Sequence, residues 1–186
     1  MVRRRLGASG LKLDDLQGHK TMEMGIFTGR ESFVAALREG LARAEQQGAR
    51  ELCWLDADFL HWPLSEPAVL DLLTAWARPH RRLRILAPQF ESLQQRHPRF
   101  VLWRRTWSHV ITAGSFEAEL LSGAELVGLM LAPGAACVRL FDAENWRGAI
   151  SAPMAGVRSD ELLSRQWFDA IEQRSSDSFA ASTLGL

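Results

Sequence analysis

Tyrosine is missing from this sequence altogether, lysine occurs only at Lys12 and Lys20, and cysteine only at Cys53 and Cys137. Each cysteine lies inside an apolar, strand-like run, "ELCWLD" and "AACVRLF", and neither has a second cysteine or a histidine at metal-ligand spacing. That argues against a zinc site and reads as two buried free thiols in a reducing compartment. No stretch approaches the roughly 18 to 20 uncharged apolar residues that a membrane helix requires. The arginine-rich start "MVRRRLGASG" is not followed by an apolar signal core, so a cytoplasmic protein that neither crosses nor enters a membrane is expected. Also absent are a Gly-rich loop ending in Gly-Lys-Ser/Thr, a GxGxxG after a strand, a GxSxG elbow and an HExxH pair. Nucleotide hydrolysis, Rossmann cofactor binding, serine hydrolysis and zinc proteolysis therefore lose their usual signatures, and neither a metal nor a cofactor is expected.

What is present is enough apolar material for one core: 186 residues, 47% hydrophobic and 24% charged. Net charge is zero, but its distribution is uneven. Between Arg78 and Arg105 stand eight arginines (Arg78, Arg81, Arg82, Arg84, Arg96, Arg99, Arg104, Arg105) against Glu91 alone. Between Glu51 and Asp71 stand five acids (Glu51, Asp56, Asp58, Glu66, Asp71) and no base. Such asymmetry marks either a phosphate-facing surface beside an acidic face or pairing within the molecule. Arg81, Arg82 and Arg84 on one strand, with Arg104 and Arg105 ending the next, would form an anion site if both sets reached one rim. A nucleic acid is then a possible partner, with Trp103 or Trp107 available for base stacking. Of the seven tryptophans, Trp54, Trp76, Trp103 and Trp167 fall on core-facing positions.

Along the chain, residues 1–23 mix Gly, Ser, Asp and Arg without apolar periodicity and read as a flexible lead-in. One domain over 24–176 and a polar tail over 177–186 complete the expected organisation. In "ESFVAALREGLARAEQQGAR", Phe33, Leu37 and Leu41 recur at helical spacing and Gly48 stands at the stop. "ELCWLD" is a buried strand, followed by the acidic loop "DADFLHWPLSEP". "AVLDLLTAWARP" is a second helix, with Ser65 as its cap and Pro67 just inside. "RRLRILAP" is the next strand, "QFESLQQRHPR" a short helix, and "FVLWRR" a third strand. "SHVITA", "ELVGLMLAP", "ACVRLF" and "WRGAISAP" follow as added strands. The closing helix, "SDELLSRQWFDAIEQRS", is capped by Ser159 and expected to pack through Leu162, Leu163, Trp167 and Ile171. Alternation of helix and strand predicts an α/β fold: a mixed, mainly parallel sheet with helices on both faces.

That order of elements, from "FVAALREGLARAEQQGARELCWLD" through "RRLRILAP", "FVLWRR" and "SHVITA" to "WFDAIEQRSS", resembles one half of the phospholipase D-like phosphodiesterase fold. More narrowly, the stretch 26–176 is similar to a small bacterial phospholipase D-like domain of unknown function, which in some relatives follows an acetyltransferase domain. The resemblance implies a catalytic motif HxKxxxxD. In it one histidine attacks phosphorus, its counterpart from a second copy protonates the leaving oxygen, and the lysines hold the phosphate charge.

No histidine here completes that motif. His109 has the expected place before an apolar strand, but the lysine position is Ile111 and the aspartate position Phe116. His19 and His61 lack both partners; His80 and His97 have Arg82 and Arg99 at the lysine offset but Ala87 and Arg104 at the acid offset. His109 therefore reads as the remnant of a catalytic residue, and the chain as a non-catalytic binding or assembly module. The alternatives are a phosphodiesterase or nuclease with a degenerate His/Arg site, and a sequence-independent nucleic-acid binder. Because two halves normally meet across their motifs, the replacement of polar residues by Ile111 and Phe116 implies a homodimer along an apolar seam.

Overall fold

The structure, a computed structural model, describes residues 24–122, 126–151 and 158–180. The lead-in expected over 1–23 and the end of the polar tail, 181–186, lie outside the described residues. In chain order the elements are β1 (Met24–Phe27), α1 (Arg30–Gln46), β2 (Glu51–Leu55), α2 (Pro67–Trp76), β3 (Arg82–Ala87), α3 (Glu91–Arg96) and α4 (Pro98–Thr106). Then come β4 (Ile111–Ser115), β5 (Gly128–Ala132), β6 (Ala136–Asp142), β7 (Arg147–Ser151), α5 (Arg158–Glu172) and β8 (Ser176–Asp177). The strands form one eight-stranded sheet in the order β1-β7-β6-β5-β2-β3-β4-β8. None of the helices among the described residues is long and apolar enough to cross a membrane.

Alternation along the central strands sends successive side chains to opposite faces. Leu52 and Trp54 of β2, Leu83 and Ile85 of β3, and Met130 of β5 meet α1 and α2 through Leu37, Leu41, Val69 and Leu73. Cys53 and Leu55, Leu86, and Leu129 and Leu131 point the other way, to Phe168 and Ile171 of α5. The mixed α/β sheet with helices on both faces is thus present. Its parallel part is smaller than expected: β2, β3 and β4 run parallel, whereas the other pairings in the sheet are antiparallel.

"FVLWRR" is helix, not strand. Four consecutive apolar residues do not distinguish a buried strand from a buried helix turn. Pro98 sits at the first helical position, where its missing N–H costs nothing. Phe100 and Trp103, three apart, turn inward while Leu102 is 61% exposed. The third parallel strand is β4, drawn from "SHVITA". At α2 the cap position belongs to Glu66, and the Ser65 hydroxyl turns instead to Arg96 and His97. Helix α5 begins at Arg158, so Ser159 lies within its first turn. Its buried residues are Ser164, Phe168 and Ile171; Trp167 is half-buried, and Leu162 and Leu163 are exposed. The tail residues 177–180 belong to the fold: β8 pairs with β4, the Ser178 N–H donates to the Ala113 carbonyl, and Phe179 is buried against Phe90.

Candidate functional site

His109 stands in a single helical turn, Ser108–Val110, just ahead of β4. Its side chain is exposed, and its ring lies 6.0 Å from that of Trp107. The residues at the lysine and aspartate positions are elsewhere. Ile111 is buried in the core beneath the helical layer of α1 to α4, whereas Phe116 is buried in the opposite core, beneath α5. The apolar dimer seam expected from these two residues is therefore used up inside the chain.

Arg81, Arg82 and Arg84 do border one cleft, of about 570 Å³, at the amino-terminal ends of β3 and β4; His80, His109, Glu172 and Asp177 share its wall. Two of the three arginines are committed internally. Arg81 donates to the carbonyls of Gly48 and Ala49, just beyond α1. Arg84 is buried on the α5 side, with its Nε 2.9 Å from Glu51 and its Nη1 3.2 Å from Asp169. It also pairs with Glu172, and its Nη2 lies 3.3 Å from the Cys53 sulfur. Burial pushes the Cys53 thiol up to about 12 despite that cation, and Cys137 up to about 11, so neither is a nucleophile at neutral pH. Arg104 and Arg105 stand apart from this cleft. The Arg104 guanidinium lies 4.3 Å over the ring of Phe179, buried, and burial lowers its pKa; Arg105 is exposed on α4. Trp103 is not free for base stacking, because it is buried and its indole N–H donates to Thr74.

The larger cleft, about 860 Å³, lies at the other end of the sheet, by the loop that leaves the carboxyl end of β2. That loop is built from its own polar side chains. The Asp56 carboxylate accepts the N–H groups of Asp58 and Phe59 and the indole N–H of Trp62; burial pushes its pKa up, against those three donors. Phe59 has φ 56°, a left-handed backbone that its ring would avoid without such bracing. His97, buried, clamps the loop to the start of α4: Nε2 lies 3.0 Å from the Phe59 carbonyl oxygen and Nδ1 3.2 Å from the Ser65 hydroxyl. With the proton on Nε2 both contacts are satisfied by a neutral ring.

Burial holds the His97 pKa low, with Arg96 acting in the same sense and the Phe59 carbonyl against it; His61 is lowered too. Unfolded, a histidine titrates near about 6.5. As pH falls from that value toward the folded pKa the unfolded chain takes up the extra proton, so stability falls with pH. Urea unfolding should show the midpoint dropping over this range, with a shallower drop in His97→Gln. An equal slope in that variant would place the acid sensitivity elsewhere.

Around the mouth of this cleft stand Arg30 and Val34 of α1, His61, Ser65, and Arg96 of α3. Arg38 and Glu66 neutralise each other through two contacts of 2.7 and 2.6 Å. His61 packs edge-on against Trp146, 4.8 Å between centroids, and Trp146 has φ 53°. Its surroundings are cationic: after burial, Arg30 and Arg96 lower its pKa and Asp58 opposes them. None of Arg30, His61 and Arg96 stands out in the sequence as a site residue, since they come from three separate segments. The available signal was a polar loop leaving the end of a buried strand.

The sequence matches no family model and no curated protein. Among solved structures, the chain is similar to TrmBL2, an archaeal chromatin protein whose structure shows a novel mode of DNA binding. The TM-score is 0.60 at 11% sequence identity, covering 88% of this chain and 57% of that one. It is also matched to Nuc from Salmonella typhimurium, a phospholipase D family member, with a TM-score of 0.47 at 9% identity, covering 85% of this chain and 100% of that one. The chain thus spans less than two thirds of TrmBL2, and likeness at this identity shows a shared fold.

Proposed function

We propose that this chain is a non-catalytic binding module on a phospholipase D-like scaffold, acting in the cytoplasm on a phosphate-bearing ligand. The observation that carries the reading is the placement of Ile111 and Phe116 in opposite cores. A nucleophilic histidine works only with a cation to hold the phosphate and a partner to hold the ring. Of the cleft arginines near His109, Arg84 is engaged by three acids, and Glu172 and Asp177 on the same wall oppose an incoming phosphate. Binding is favoured over assembly, since a homodimer would need a surface other than Ile111 and Phe116.

A second reading, sequence-independent nucleic-acid binding, is favoured by the exposed arginines Arg78, Arg82, Arg99 and Arg105, which have no acid partner among the described residues. The DNA binding described for TrmBL2 points the same way. The purified protein should not hydrolyse bis-p-nitrophenyl phosphate, and His109→Ala should behave as the parent does. Turnover that disappears in His109→Ala would replace this reading with the degenerate phosphodiesterase. Duplex DNA retained on the protein, with affinity falling steeply as salt is added, would favour the nucleic-acid reading.

A further inference from the structure

We propose that the cleft at the carboxyl end of β2 is a binding site for a small phosphate-type dianion, held by Arg30, Arg96 and the ring of His61. It rests on the reading that the chain binds a phosphate-bearing ligand, places that ligand at the end of the sheet opposite the arginine-lined cleft, and needs neither hydrolysis nor nucleic-acid binding.

The two guanidinium groups come from α1 and α3, and no acid pairs with either among the described residues. Both border the same cleft as His61. Two cations beside an imidazole, neither of them ion-paired, repel one another, and a bound dianion reverses the sign of that interaction. His61 Nδ1 is enclosed and has no hydrogen-bond partner, which leaves Nε2 as the ring nitrogen within reach of a ligand. A proton on Nε2 then makes the ring a third donor beside the two arginines. The ring is fixed in this orientation by Trp146, whose own ring is backed by Phe33 at 5.5 Å. Helix α1, 17 residues long, follows Gly29 at its cap position with no side-chain capping bond, and its first turn supplies Arg30 to the cleft; the positive end of its dipole adds to the field.

The acids nearby define the class of ligand. Glu31 and Glu66 share the wall, the latter already neutralised by Arg38, and Asp58 faces His61. A compact dianion can be gripped by Arg30 and Arg96 without touching Glu31, whereas an extended polyanion laid along the wall would meet it. The floor supplied by Val34, Leu60 and Pro63 leaves room for an organic group attached to the phosphate.

Inorganic phosphate is the probe. Titrated into the purified chain in chloride buffer at constant pH, it should shift the His61 ring resonances saturably, the His61→Gln spectrum serving to identify them. Arg30→Ala and Arg96→Ala, both exposed and thus free to be removed without unfolding, should each weaken binding by about tenfold. Arg174→Ala, on an exposed turn beyond α5, should not. Absence of a saturable shift, or an affinity in both cleft variants equal to that of the parent protein, would overturn the site. Displacement of phosphate by a short DNA duplex would overturn the small-ligand assignment, while the hydrolysis assay is blind to both results.

Discussion

Arg84→Ala should lower the stability of the protein by about 3 kcal/mol, the lower end of what removing one partner of a buried ion pair costs. Arg84 lies under α5 with its guanidinium 4.8 Å over the Phe168 ring, and it is the meeting point of Glu51, Asp169 and Glu172. Arg165 adds a second cation, 2.6 Å from Glu51 and 3.0 Å from Asp169. Without Arg84, Glu51 and Asp169 would keep Arg165 alone, and Glu172 would lose the cation it pairs with. The acids keep 22 to 39% exposure, so water relieves part of the penalty, which is why the lower figure applies. Arg82→Ala, two residues earlier on the same strand but exposed, should change stability by no more than about 0.5 kcal/mol. Urea unfolding of the two variants checks the contrast. Equal and small losses would mean that Arg84 is a surface cation and return it to the set available for anions.

Trp54→Ala should cost about 3 to 5 kcal/mol, as large aromatic truncations in a core do. Trp54 is fully buried in the middle of the sheet, its ring 5.3 Å from Trp62 and 5.9 Å from Phe100. Through Trp62, bonded to Asp56, it supports the loop that carries His61; through Phe100 it holds α4. Loss of the ring would therefore loosen the cleft as well as the core, and hydrogen exchange at the N–H groups of Phe59 and Leu60 should accelerate more than at β6. Trp54→Phe should be milder than its volume change implies, because the indole Nε1 is buried without a partner and its removal relieves that cost. If Trp54→Phe and Trp54→Ala unfolded at the same urea concentration, the ring would not be the support described.

The sequence by itself was sufficient where a periodic pattern meets a chemical stop. Helix α1 follows from Phe33, Leu37 and Leu41 with Gly48 after them, and Gly48 has φ 67°. Strands β2 and β3 follow from short apolar runs ended by Asp56 and Pro88, and the loss of the catalytic pattern follows from Ile111 and Phe116 being what they are. Both thiols are free and buried, as their surroundings in the chain implied.

Three matters were decided only in three dimensions. "FVLWRR" carries four apolar residues in a row, a pattern equally good for either element, and the neighbouring Pro98 together with the pairing of β4 to β3 settled it as helix. The facing of α5 was not readable because Leu162, Leu163, Trp167, Phe168 and Ile171 spread around a broad arc. Its rotation is fixed by Asp169 and Glu172 reaching Arg84, an attraction between residues far apart in the chain. The same holds for the arginines. A count of charges along the sequence gives a basic segment, but strand alternation sends Arg84 under a helix, the turn of α4 sends Arg104 beneath Phe179, and Arg81 is spent on carbonyls past α1. Arg30, His61 and Arg96 acquire a common neighbourhood only when α1, the loop after β2 and α3 close on one another. Local sequence sets the period and the stops, whereas a charge becomes free, paired or buried according to what folding brings beside it, and that depends on partners the local sequence does not contain.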